Sequence, residues 1–134
     1  MELPQSTRTA AEAAVAVGCD VAQIVKSLIF RAAHSDRPIL VIASGANRVN
    51  EKAVGGLIGE PLGKADAEFV RRHTGFAIGG VPPVGHLSQI ETFVDEDLLR
   101  YPEVWAAAGT PNTLFRIPPA NLVRLTGGTV ATVK

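Results

Sequence analysis

Two short apolar runs set the terms for the whole chain. They are Ser27-Leu28-Ile29-Phe30-Arg31-Ala32 and Pro38-Ile39-Leu40-Val41-Ile42-Ala43, with the turn-like His34-Ser35-Asp36-Arg37 between them. β-formers bounding a short polar stretch read as a β-hairpin. Helices are expected around it. Thr9 and Glu12 have capping-box spacing, Ala10–Val17 is alanine-rich, and Gly18 supplies a stop. Asp20 is placed to cap a second short helix over Val21–Val25. Further on, the pattern predicts helices over Asn50–Ile58, Ala67–His73 (opened by Asp66, ended by Gly75), Tyr101–Ala107 and Pro119–Leu125. Strands are expected at Phe76–Ile78, Glu91–Val94, Leu114–Ile117 and Thr129–Val133. Helices and strands mix without a strict βαβ rhythm. The expected fold is a single α/β domain of α+β type over residues 1–134, with a mixed, mostly antiparallel, partly closed sheet flanked by helices.

Composition excludes several classes. With 134 residues and 46% apolar content the chain can bury a core, so global disorder is excluded. Cys19 is the single cysteine, which excludes a disulfide scaffold. No apolar run approaches the roughly 20 residues of a membrane span. Met1-Glu2-Leu3-Pro4 is not followed by the basic and then apolar regions of a signal peptide, so the expected compartment is the cytoplasm. Thirteen basic residues balance thirteen acidic ones, and Arg71-Arg72 is the one basic doublet. A protein that wraps duplex DNA needs many phosphate contacts. This chain has charge for one or two phosphates.

Among candidate chemical groups, the loop Gly79-Gly80-Val81-Pro82-Pro83-Val84-Gly85-His86 is the most unusual. Its glycines allow close backbone approach and its prolines stiffen it, so it can aim N–H groups at one oxygen. A tight structural turn is the plain alternative. Lys26 lies in a stretch nearly free of charge. It reads either as a cation aimed at a phosphate or carboxylate, or as a lysine at a helix C-terminus. His34 and His73 read as solvated, Cys19 as a small apolar residue, and Asp95-Glu96-Asp97 as a solvated turn. No metal-ligand spacing, triad signature, Walker loop or dinucleotide fingerprint is present, so neither a metal nor a cofactor is expected.

Four stretches together resemble the YbaK family, which includes the editing domain inserted in bacterial prolyl-tRNA synthetases. They are Ser6–Ala14, Gln23–Phe30, Ala43–Val49 and Gly75–His86. The lysine block and the glycine-proline loop are specific in combination. The resemblance implies a free-standing deacylase acting on the 3′ end of mischarged aminoacyl-tRNA, mostly tRNA for proline carrying a small amino acid. Lys26 would hold the terminal adenosine phosphate. Gly79, Gly80, Pro83, Gly85 and His86 would form the catalytic loop. Thr9, Ser27, Ser44, Gly45 and Arg48 would line the substrate site. A prolyl-tRNA synthetase and a second copy of the chain are the implied protein partners. Cysteine-hydrolysing members carry a Ser-Gly-Gly stretch where this chain reads Ala108–Phe115, which points to alanine or another small aliphatic residue. The rival class is a non-catalytic module binding a tRNA end, a nucleotide or a protein through the same loop.

Overall fold

The computed structural model describes residues 10–76, 90–107 and 114–134. Within them the chain forms α1 (Ala10–Val17), β1 (Val25–Ala32), β2 (Pro38–Ser44), α2 (Glu51–Ile58), β3 (Leu62–Lys64), α3 (Ala67–Thr74), β4 (Glu91–Asp95), β5 (Val104–Ala107), β6 (Leu114–Ile117), α4 (Pro119–Thr126) and β7 (Thr129–Ala131). One 3-10 turn precedes β1 at Val21–Gln23, and another follows β4 at Glu96–Arg100.

The expected hairpin is the centre of the fold. β1 pairs antiparallel with β2, from Val25 opposite Ser44 to Arg31 opposite Pro38. The sheet order is β3-β1-β2-β4-β7, with β3 antiparallel to β1 and with β2, β4 and β7 mutually parallel. β5 and β6 form a separate antiparallel ribbon, joined to the start of β1 by an Ile24–Trp105 bridge. Three of the five ladders are therefore antiparallel.

β2 is apolar on both faces because both are covered, as central strands flanked by parallel partners usually are. Leu40 and Ile42 pack with Val94, Leu122 of α4, and Val104, Ala106 and Ile117 of the ribbon. Ile39, Val41 and Ala43 point the other way, onto Val54 of α2, Phe93 and Val133. Caps define the short helices. Asn50 Oδ1 accepts from Ala53 N at 3.1 Å, and Asp66 Oδ1 accepts from Phe69 N at 2.8 Å. Gly75 ends α3 in the left-handed region, at φ 81°.

Two sequence expectations need correction, and one strand was not expected. The helix expected over Val21–Val25 is one 3-10 turn, because Val25 already pairs with Ser44 and Ile24 O accepts from Gly45 N at 2.7 Å. The helix expected over Tyr101–Ala107 is replaced by β5, whose Val104–Ala107 register onto β6 satisfies the backbone across the ribbon. β3 had no sequence forecast: Leu62-Gly63-Lys64 is too short for a period and is recruited by the free edge of β1. The strand expected at Phe76–Ile78 lies largely outside the described residues.

Candidate functional site

Sheet topology brings the chemistry to one edge. β2, β4 and β7 are parallel, so their C-terminal ends meet, and antiparallel β1 begins beside them. Segments following parallel strands are where α/β sheets commonly place ligand-binding groups. Here these are Ser44–Asn47, Asp95–Asp97 and Thr132–Lys134, with Lys26 at the start of β1.

Lys26 is a strand residue, so the helix-terminus reading of it is set aside. It sits opposite Ala43. Asp95 follows one residue after the Ile42–Val94 pair, and itself sits opposite Ala131. Lys26, Ala43, Asp95 and Ala131 therefore form one cross-strand row on a single face, with only methyl groups flanking the carboxylate. The Lys26 side chain is half-buried, and Nζ donates to Asn47 O at 2.6 Å. Burial pushes the Lys26 pKa down, and the negative charge of Asp95 partly opposes that shift.

Asp95 is 1% exposed, which corrects the expectation of a solvated acidic turn. Its Oδ2 accepts from Ser44 N at 3.1 Å and from Asn47 Nδ2 at 2.8 Å, and its Oδ1 accepts from Asp97 N at 2.9 Å. Asn47 Nδ2 also donates to Asp97 Oδ2 at 2.8 Å. Lys134 Nζ lies 2.8 Å from the same Asp97 oxygen. Arg100 lies 3.4 Å from Asp97 Oδ1, an ion-pair distance without hydrogen-bond geometry. Lys134 and Asn47 hold the Asp97 carboxyl below its ordinary value of 3.8.

The remaining candidates divide by position. Ser44 Oγ donates to Ala22 O at 2.7 Å, so this hydroxyl fastens the loop to the 3-10 turn. Gly45 is required by space. A Cβ there would lie 2.6 Å from Val21 O and 2.7 Å from Ala10 Cβ. Ser27 points to the face opposite Lys26, and its Oγ is buried without a hydrogen-bond partner among the described residues. Arg48 is exposed. The structure thus gathers Lys26, Ser44 and Gly45 at one edge, and turns Ser27 to the other face. Thr9, Gly79, Gly80, Pro83, Gly85 and His86 lie outside the described residues.

The other titratable groups take structural positions. Cys19 packs among Ala13, Ala14 and Ile24, and burial pushes its thiol up, against nucleophilic use. His73 lies against the Phe69 ring at 4.5 Å. Among the described residues, no three His, Cys, Asp or Glu side chains gather to hold a metal ion. A surface cavity of about 390 Å3 between α2 and β3, lined in part by Lys52, Gly56, Gly59 and Pro61, lies at the far end of β1 from Lys26. No helix among the described residues is long and apolar enough to cross a membrane.

The fold itself is shared with solved structures. One solved structure, of a proposed trans-editing enzyme for prolyl tRNA synthetase, matches with a TM-score of 0.95 and 55% identity, over all of this chain and 84% of that one. The chain belongs to the aminoacyl-tRNA editing domain family, whose model matches residues 4–125. It is 31% identical over 121 residues to the uncharacterised protein YwhH of Bacillus subtilis, covering 90% of this chain and 76% of that one. It is 32% identical over 120 residues to a proline–tRNA ligase of Bacillus licheniformis, covering 89% of this chain but only 20% of the ligase. The match to the ligase is thus to one part of a much longer enzyme.

Proposed function

We propose that this chain is a trans-editing deacylase. It hydrolyses the ester joining a small amino acid, alanine first among them, to the 3′ end of tRNA for proline. Membership of the editing family supports the reaction class. The relatives tied by name to prolyl-tRNA synthetase or to proline–tRNA ligase support the choice of tRNA.

The observation that carries the reading is Lys26. An ammonium has three donors. Among the described residues one is directed to Asn47 O, which leaves two for an anionic oxygen such as the terminal adenosine phosphate. A single fixed cation suits a substrate held by its end, and the even overall charge suits few phosphate contacts. Lys26 supplies positioning and transfers no proton.

The aminoacyl ester is already activated, so a water can attack its carbonyl carbon without a nucleophilic side chain. The ester C–O bond then breaks, the ribose hydroxyl takes the proton, and the free amino acid leaves. Backbone N–H groups of the Gly79–Gly85 loop are assigned to the oxyanion, each worth about 3–4 kcal/mol in comparable sites. Selectivity for small side chains comes from pocket size, where one methylene is worth about 1–3 kcal/mol. The reaction belongs in the cytoplasm, where charged tRNA is made, and prolyl-tRNA synthetase is the natural companion.

The test is deacylation of tRNA for proline charged separately with alanine, cysteine, serine, 2-aminobutyrate and proline. Alanine is expected to be released fastest and proline spared. Lys26→Ala should lower kcat/KM by about a hundredfold, the scale of a lost positioning contact, with the melting temperature kept. Unchanged activity in Lys26→Ala overturns the role of the lysine, and no hydrolysis of any substrate overturns the deacylase.

A further inference from the structure

The buried Asp95 is a group near Lys26 that deacylation leaves unexplained. A carboxylate 1% exposed, between two alanines in a cross-strand row, is costly unless its oxygens are satisfied. Three donors satisfy them: Ser44 N, Asn47 Nδ2 and Asp97 N. Two of the three come from the end of β2 and the loop that follows it. That loop is also fixed from the other side, by Ser44 Oγ on Ala22 O and by Gly45 N on Ile24 O. Asn47 lies in the middle of it, its N–H on Ser44 O. Both amide hydrogens of its side chain are taken, one by Asp95 and one by Asp97. With the side chain held between two carboxylates, its main-chain carbonyl accepts from Lys26 Nζ at 2.6 Å.

We propose that Asn47 is a positioning residue for Lys26. The Asp95–Asp97 pair grips its amide and so aims its carbonyl at the ammonium, fixing one of three N–H groups and turning the other two toward an anionic substrate. The proposal rests on the reading of Lys26 as the substrate-holding cation. Lysine carries a flexible four-carbon stem, and a free lysine would lose much of its rotamer freedom at the moment of binding. Asn47 removes that cost in advance. The small side chain of Ala43 makes room for the loop to reach across β2 from Asp95 to Lys26.

Two measurements test this separately from the deacylase reading. The first uses the unaltered chain and nuclear magnetic resonance of lysine side-chain ammonium groups. Lys26 should show slower proton exchange than the exposed Lys52, whereas equal exchange overturns the proposal. The second compares Asn47→Ala and the milder Asn47→Ser with Lys26→Ala, reading kcat and KM for alanyl-tRNA alongside Lys26 exchange. Asn47→Ala should bring Lys26 exchange to the Lys52 rate and raise KM about ten- to a hundredfold, with kcat changed less. Asn47→Ser, which keeps one donor, should fall between. A folded Asn47→Ala with unaltered Lys26 exchange and KM overturns the positioning role. If Lys26→Ala proves fully active, the deacylase reading of the lysine fails, while the exchange measurement still decides whether Asn47 holds it.

Discussion

Gly45→Ala offers the sharpest check on how the lysine-bearing edge is packed. A Cβ at position 45 would stand 2.6 Å from Val21 O, 2.7 Å from Ala10 Cβ and 3.1 Å from Ile24 O. Carbon atoms in good contact stand about 3.5–4.0 Å apart, so the methyl overlaps Ala10 by close to an ångström. Two of the three neighbours are backbone oxygens, one in the 3-10 turn and one at the β1 boundary, and neither can swing aside like a side chain. The loop must retreat instead. Retreat stretches the 2.7 Å bond from Gly45 N to Ile24 O and loosens Ser44 N on Asp95. Overpacking typically costs about 1–3 kcal/mol, and a lost hydrogen bond adds about 1 kcal/mol. The sum is about 2–4 kcal/mol. For a chain of this size each kcal/mol lowers Tm by about 3–4 °C, so the expected fall is about 6–16 °C. Thermal unfolding followed by circular dichroism measures it. A Gly45→Ala chain melting within a degree or two of wild type would refute the packing described for the loop.

Further outcomes follow from the same structure. Asp97 has its folded pKa below the ordinary 3.8. Its contribution to stability is therefore present above that value and lost as pH falls through the lower folded pKa. Asp97→Asn should flatten the acid limb of a stability-against-pH curve below about pH 4, and an unchanged limb would refute the linkage. Val133 is fully buried beside Ala43, Val54 and Phe93. Val133→Ala should cost about 2 kcal/mol, measured by urea unfolding.

The hairpin, its turn and two helix stops were legible because local chemistry dictates them. Apolar β-formers flank His34–Arg37, and Gly18 and Gly75 adopt the left-handed conformation that glycine tolerates best. Asp66 was legible for the same reason, since a side-chain oxygen near the first turn satisfies an orphan N–H, whereas Asn50, expected as the first helical residue, is the cap of α2. The segment from Tyr101 to Ala107 misled because nothing local marks the ribbon. Its β5 portion exists only because β6 lies beside it. Asp95 misled because an acidic triplet reads as solvated unless one knows that two of its members meet a loop some fifty positions earlier in the chain. The available signal was faint: Asp95 continues the apolar strand run Thr92-Phe93-Val94.

Residue types and their order thus determined the α/β class, the central hairpin, the family and Lys26 as the residue to watch. Those rest on period, turn chemistry and motif, all of which act over a few neighbouring residues. Tertiary structure alone decided that Lys26 belongs to a strand, that Asn47 meets it, and that Asp95 is buried beneath both. These depend on which strands run parallel. Parallel β2 and β4 bring two separate segments to one edge, and only that convergence lets the buried Asp95 carboxylate find donors from the end of β2 and its loop.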